Sequence, residues 1–144
     1  MSSSNRDEMI KNLNEIVVPV LRQLNFKGSF PHFRRLTTER INLLTFQFDR
    51  YGGGFVIEVA NAKNEPFKMS GQVIESNRLT CHMVSKRMRI QSIMHENGDS
   101  STNDWFRFDK KHLFGLGNIY KNVCKNVLSK LDIAEEYWKN GELN

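Results

Sequence analysis

Two stretches near the middle of the chain alternate hydrophobic and polar residues, and a run of glycines separates them. Between Arg40 and Asp49, Leu44, Phe46 and Phe48 recur at every second position. The same period continues in Phe55, Ile57 and Val59. A period of two residues is typical of a β-strand with one buried face. Gly52 to Gly54 supply the backbone freedom for a turn. The segment Arg40 to Ala62 therefore predicts an antiparallel hairpin and a domain built on a sheet.

Both ends of the chain have a helical period instead. Apolar residues recur every three or four positions near the N-terminus, which predicts a helix from about Asn5 to Leu24, kinked or split at Pro19. A second helix is predicted from about Asn118 to Leu131, with a further turn or two beginning at Asp132 to Glu135. The expected core positions are Leu13, Ile16, Phe46, Phe48, Ile57, Val59, Val123 and Val127.

Shorter strands are predicted around the central hairpin. Ser29 to Leu36 contains Pro31, so we expect an edge strand or an irregular lead-in there. A second hairpin is predicted, with one strand from Leu79 to Val84 and the other from Lys86 to Met94. A last short strand is predicted from Trp105 to Phe108.

The order helix, strands, helix indicates the α+β class. We expect a single antiparallel sheet of five or six strands, with the N- and C-terminal helices packed on one face. At 144 residues the chain fits one domain, residues 1–144. Residues 1–4 and the polar segment 96–104 are expected to be flexible.

Composition and charge exclude several classes of protein. Hydrophobic residues make up 39% and charged residues 26%, and the net charge of +5 is spread over both halves. Such a balance is ordinary for a globular protein and does not favour nucleic acid as a partner. The start of the chain is polar and the longest apolar run is Ile16 to Leu21, so we expect a cytoplasmic protein without a signal peptide or membrane span. Cys81 and Cys124 form no CxxC pair and are expected to be reduced and partly buried.

The motifs contain no evident catalytic chemistry. The four histidines are His32, His82, His95 and His112. None has the spacing of a metal-binding pair, and no serine lies in a GxSxG turn. Gly115 to Gly117 precede a helix, where they serve the helix entry or offer amides to an anion. We therefore expect no catalytic residue, no metal and no cofactor, and we do not expect an enzyme.

Arginines give the one functional indication, and three hypotheses follow. The first is a non-catalytic binding or protein-interaction module, as an immunity-type or accessory protein would be, with a protein partner and a monomeric or weakly dimeric state. The second is an enzyme or small-ligand binder that holds an anion on an open sheet face. Its anion-binding residues would be Arg35, Arg87, Arg89 and His82. The third is a weak binder of single-stranded RNA, which arginines and aromatic residues on a sheet can hold.

Four segments of the chain also carry a family resemblance. They are NFKGSFPHFRRL, INLLTFQFDRYGGGFVIEVA, RMRIQS and DWFRFD, the last of which precedes a C-terminal helix. Together these segments resemble the family called domain of unknown function 4304. The resemblance covers roughly Met9 to Trp138. It implies an N-terminal helix, a central strand with a glycine-bearing turn and a late tryptophan motif. It implies no activity and no catalytic residue.

Overall fold

The computed structural model describes residues 3–109 and 118–144. Its helices are α1 (Ser3–Asn12), a π-helical turn (Leu13–Val17), α2 (Val18–Gln23), α3 (Ile119–Ser129) and α4 (Leu131–Asn140). Its strands are β1 (Lys27–Ser29), β2 (His32–Leu36), β3 (Arg40–Phe48), β4 (Gly54–Lys63), β5 (Phe67–Met69), β6 (Gln72–Ile74), β7 (Arg87–Ile90) and β8 (Phe106–Arg107). Short 3-10 turns lie at Ser76–Arg78, Cys81–Met83 and Thr102–Asp104. The predicted α+β class is confirmed.

The main sheet is antiparallel and has the order β1-β2-β3-β4-β7, with β8 paired to the start of β4. These six strands confirm the predicted number. Strands β3 and β4 form the predicted hairpin at its centre, with Phe46 opposite Ile57. Gly52 and Gly53 in the connecting turn have φ angles of 90° and 86°, which glycine adopts without steric cost. Strands β5 and β6 form a separate small hairpin.

The helices of the described residues pack on one face of the main sheet, as expected. Leu13, Val123 and Val127 are buried there against Phe46 and the rest of the strand side chains on that face. Of the expected core residues, Ile16 and Phe48 are only partly buried, and the other six are buried. Helix α4 is fastened by Trp138, whose indole Nε1 donates a hydrogen bond to the Leu43 carbonyl at 3.0 Å.

The N-terminal helix is split near Pro19, as its sequence predicts. Pro19 lacks an amide proton and therefore cannot donate to the Glu15 carbonyl in a continuous α-helix. It lies at the start of α2, directly after the π-helical turn. Within that turn the Val18 amide donates to the carbonyl of Leu13, five residues back. The wider π-helical turn accommodates the proline, and the chain continues as a helix beyond it.

Two predicted elements differ from the structure. Ser29–Leu36 is not one edge strand, because Pro31 lies in a turn between β1 and β2, and β2 pairs on both sides. The predicted hairpin of Leu79–Val84 with Lys86–Met94 is wrong. Cys81–Met83 is a 3-10 turn, and only β7 joins the sheet, against β4. Leu79, Cys81 and Val84 bury their side chains in a hydrophobic cluster instead of forming a strand.

That cluster covers part of the sheet face opposite the helices, which we call the second face. Leu43 and Ala60 are buried there under Leu79, Cys81 and Val84. The second face is therefore not open along its whole length, contrary to the expectation of an open sheet face. His112 and Gly115 to Gly117 lie outside the described residues. Among the described residues, no helix is both long and apolar enough to cross a bilayer.

Candidate binding sites

Arg35 lies on the helix-covered side of the sheet and is held by its own protein. Its Nη2 donates to Glu135 Oε1 at 2.7 Å and its Nε to Asn42 Oδ1 at 2.9 Å. The guanidinium also lies over the rings of Phe26 and Trp138, 4.7 and 5.2 Å from their centroids. These contacts explain Arg35 as a residue that fastens α4 to the sheet.

Arg87 and Arg89 lie on the second face, since they pair with Ala60 and Glu58 of β4. Arg89 Nη2 is 3.2 Å from Glu58 Oε1, and the Glu58 side chain is only 8% exposed. The Arg89 guanidinium also lies 5.4 Å from the centre of the Trp105 ring. A buried carboxylate thus balances the charge of Arg89, whereas Arg87 is exposed.

His82, the fourth residue of the predicted anion site, lies beside His32. Their rings are nearly perpendicular, with centroids 5.2 Å apart. His32 Nδ1 is 2.8 Å from Thr45 Oγ1. Burial, and then the charges of His82 and Arg34, lower the pKa of His32, so this ring is neutral at neutral pH.

The four predicted residues therefore do not share one surface. Residues alternate across a strand, which sends Arg35 to the helices while Arg87 and Arg89 face the other way. Anion binding by any of them stays a prediction. The expected grouping of all four on one open face is wrong.

Arg34 is not among the predicted anion-binding residues. It points to the second face, and its Nε donates to the Leu79 carbonyl at 3.0 Å. Within the described ranges, no carboxylate lies within ion-pair distance of its guanidinium. Burial lowers the pKa of Arg34. The sequence does contain a signal for the position of Arg34. Phe33 is apolar and should face the helices, and because neighbours along a strand alternate, Arg34 should then face the other side of the sheet.

Arg34 opens onto a groove of about 510 Å³ beside β6. We call it the Arg34 groove. Its other lining residues are Val73, Ile74, Glu75, Asn77, Arg78 and Met83. The groove thus combines two guanidinium groups, one carboxylate and an apolar wall.

A second groove, of about 430 Å³, lies between α4 and β7 on the helix side. We call it the α4–β7 groove. Its floor consists of the half-buried side chains of Met88, Ile133 and Tyr137, and the exposed Asp132 and Glu136 lie along its rim. Burial, and then the charges of Glu142 and Cys81, raise the pKa of Tyr137, so its hydroxyl stays protonated and uncharged. Sequence reasoning missed this groove because only the fold brings Met88 next to α4.

Two kinds of reactive group can be checked among the described residues, metal ligands and thiols. Within residues 3–109 and 118–144, no three histidine, cysteine or acidic side chains come together as a metal site. Both cysteines are unpaired and buried, as expected of reduced residues. Burial raises the pKa of Cys81 to about 12 and that of Cys124 to about 11, so neither supplies a thiolate nucleophile near neutral pH.

Comparison with known proteins agrees with the resemblance seen in the sequence. The family model described as "Domain of unknown function (DUF4304)" matches residues 17–132. The protein belongs to this family. No curated protein and no solved structure matches it. The description of this family states no activity.

Proposed function

We propose that the protein is a non-catalytic binding module whose α4–β7 groove docks a protein partner. The partner presents an apolar side chain flanked by lysine or arginine residues. The observation that carries the proposal is the chemistry of the groove, an apolar floor with an acidic rim. On a chain of net charge +5, this combination stands apart from the average surface.

The spacing along α4 supports a helical or extended partner segment. Ile133 and Tyr137 are four residues apart, and so are Asp132 and Glu136. Residues at this spacing lie on one side of a helix, so an apolar row and an acidic row run side by side. Grooves of this kind take apolar anchor residues spaced along a partner segment.

Apolar burial would supply the affinity, and the rim would supply the selectivity. Each square ångström of apolar surface removed from water contributes roughly 25 cal/mol. The exposed carboxylates contribute less to affinity, but they attract basic segments and repel acidic ones. This division predicts that the anchor residue dominates binding and that salt weakens selectivity first.

The test uses short amphipathic helical peptides that differ only in the anchor, leucine or alanine, and in the flanks, lysine or glutamate. The peptide with leucine and lysine should bind, and its addition should shift the methyl signals of Met88 and Ile133 in NMR spectra. Ile133→Glu should abolish these effects. Ile93→Glu is the matched control, because Ile93 is 52% exposed and does not line this groove.

The charges are tested by Asp132→Asn combined with Glu136→Gln. This variant should bind the lysine-flanked peptide about fivefold more weakly at low salt, with the difference shrinking as salt is added. Equal binding of the lysine and glutamate peptides would contradict the proposal. So would a dimer of the protein that Ile133→Glu dissociates, since the groove would then take a second copy of the chain.

A further inference from the structure

We propose that the Arg34 groove binds a carboxylate carried on an apolar body. It lies on the second face, away from the α4–β7 groove, and it is independent of the function proposed above. Arg34 and Arg78 would hold the carboxylate. Val73, Ile74 and Met83 would contact the apolar part of the ligand.

The first argument is the unbalanced charge of Arg34. The side chain is half-buried, and the described residues place no carboxylate within ion-pair distance of it. Arg35, Arg89 and Arg107 each have such a partner. A desolvated cation without a counter-charge costs free energy, as the lowered pKa of Arg34 reflects. A bound carboxylate would offset this cost.

The second argument is the orientation of the guanidinium. Its Nε is engaged by the carbonyl of Leu79, a residue that is itself fully buried. This bond fixes the plane of the group and leaves Nη1 and Nη2 as the donors that remain. Paired N–H donors of this kind match the two oxygens of a carboxylate.

The third argument is the composition of the groove walls. Val73 is 58% exposed although it is apolar, and Ile74 and Met83 extend the same wall. Glu75 lines the groove too and forms no ion pair with Arg34 or Arg78 among the described residues. Its charge repels a phosphate dianion more strongly than a monoanion. The walls therefore fit a monocarboxylate with an aliphatic or aromatic body.

The test compares hexanoate with hexanamide, which lacks the charge, and with acetate, which lacks the apolar body. Hexanoate should bind with a dissociation constant that is roughly millimolar, as expected for so small a ligand. Its addition should shift the NMR signals of the Val73 and Ile74 methyl groups. Hexanamide and acetate should bind at least about tenfold more weakly.

The variants assign the binding to the arginines. Arg34→Gln should weaken hexanoate binding about tenfold or more, and so should Arg78→Gln. Arg50→Gln is the control, because Arg50 is exposed in the β3–β4 turn and does not line the groove. If circular dichroism shows that Arg34→Gln is not folded, Arg78→Gln carries the test alone, since Arg78 is exposed and lies in a 3-10 turn outside the main sheet.

A second arm identifies the source of the carboxylate. A peptide that ends in leucine with a free carboxyl group should outcompete hexanoate if the natural ligand is a chain terminus. It should bind no better than its amidated form if the ligand is a small acid. Equal binding of hexanoate and hexanamide, or unchanged binding by both arginine variants, would overturn the proposal. So would the absence of Val73 and Ile74 shifts with every probe.

Discussion

The Arg35 side chain contacts both the sheet and α4. Glu135 of α4 and Asn42 of β3 accept its hydrogen bonds, and the rings of Phe26 and Trp138 lie against its guanidinium. The side chain is 18% exposed, whereas that of Glu135 is 41% exposed. Arg35 therefore contributes to stability, and its ring and amide contacts should matter more than its partly solvated ion pair.

Replacement of Arg35 by alanine should lower the free energy of unfolding by about 2 kcal/mol, because it removes two ring contacts and leaves the buried Asn42 amide oxygen without this donor. Arg35→Lys should recover little of the loss, since lysine lacks the planar donor geometry. Glu135→Gln should cost less than about 1 kcal/mol, as a solvated ion pair does. Urea unfolding at one pH measures all three variants. A loss for Glu135→Gln as large as that for Arg35→Ala would show that the ion pair dominates.

The choice between Arg34 and Arg35 shows how far the sequence leads at this scale. Alternation along β2 predicts that the two point to opposite faces, and the apolar Phe33 indicates which face is which. The carboxylate that neutralises Arg35 comes from Glu135, 100 residues later in the chain. Only the packing of α4 reveals it. For this reason the sequence could not tell the paired arginine from the unpaired one.

At the scale of elements, α4 is held on the sheet by a chain of buried amides. Asn42 Nδ2 donates to Asn61 Oδ1 at 3.0 Å, and Asn61 Nδ2 donates to the carbonyl of Tyr137 at 2.8 Å. Asn61 is fully buried and Asn42 is 3% exposed. Such a chain is stabilising only when each member finds its partner.

Asn61→Leu should break this chain and loosen α4. The replacement is similar in size, but it leaves the Asn42 side-chain amide without its acceptor and removes one of the two donors to the Tyr137 carbonyl, which keeps the Gly141 amide. The loss should cost about 2 kcal/mol. Backbone amides of α4 should then exchange with deuterium faster than those of β3. Asn64→Leu is the control, because Asn64 is exposed and its side chain donates to the Thr37 carbonyl and not to α4. Exchange that rises equally in α4 and β3 would show that α4 does not detach as a unit.

Elements with a strong local signal were predicted, and those fixed by distant contacts were not. The β3–β4 hairpin carries alternation, β-branched residues and turn glycines in one continuous segment. Residues 79–84 also contain apolar side chains, but these are buried under the second face at Leu43 and Ala60. A short apolar segment looks the same whether it pairs as a strand or packs beneath a sheet.

At the scale of the whole molecule, the sheet separates two hydrophobic clusters, and each contains one cysteine. Cys124 lies in the cluster on the helix side and Cys81 in the cluster on the second face. Strands β3 and β4 contribute side chains to both clusters. Since the same strands form both, neither cluster can open fully without the other, and the domain should unfold as one cooperative unit.

The dependence of the free energy of unfolding on alkaline pH tests whether both buried cysteines belong to this cooperative unit. Burial raises the pKa of Cys81 from its ordinary 9.0 to about 12 and that of Cys124 to about 11. Above pH 9 the unfolded chain loses thiol protons that the folded chain keeps, so the free energy of unfolding should fall as the pH rises from 9 to about 11. Each thiol adds at most about 1.4 kcal/mol per pH unit to this fall. The double variant Cys81→Ala, Cys124→Ala removes the thiol contribution and serves as the control for other alkaline titrations.

A thiol reagent applied at neutral pH should then react with both cysteines at one rate, because both become accessible only on global unfolding. Peptide mass analysis of partly modified protein separates the two positions. The cluster on the second face is the smaller, and its cover comes from short strands and 3-10 turns. If Cys81 reacts much faster than Cys124, this cover opens by itself and the domain is not one cooperative unit. Equal rates would mean that the second face, with the Arg34 groove, is as rigid as the helix side.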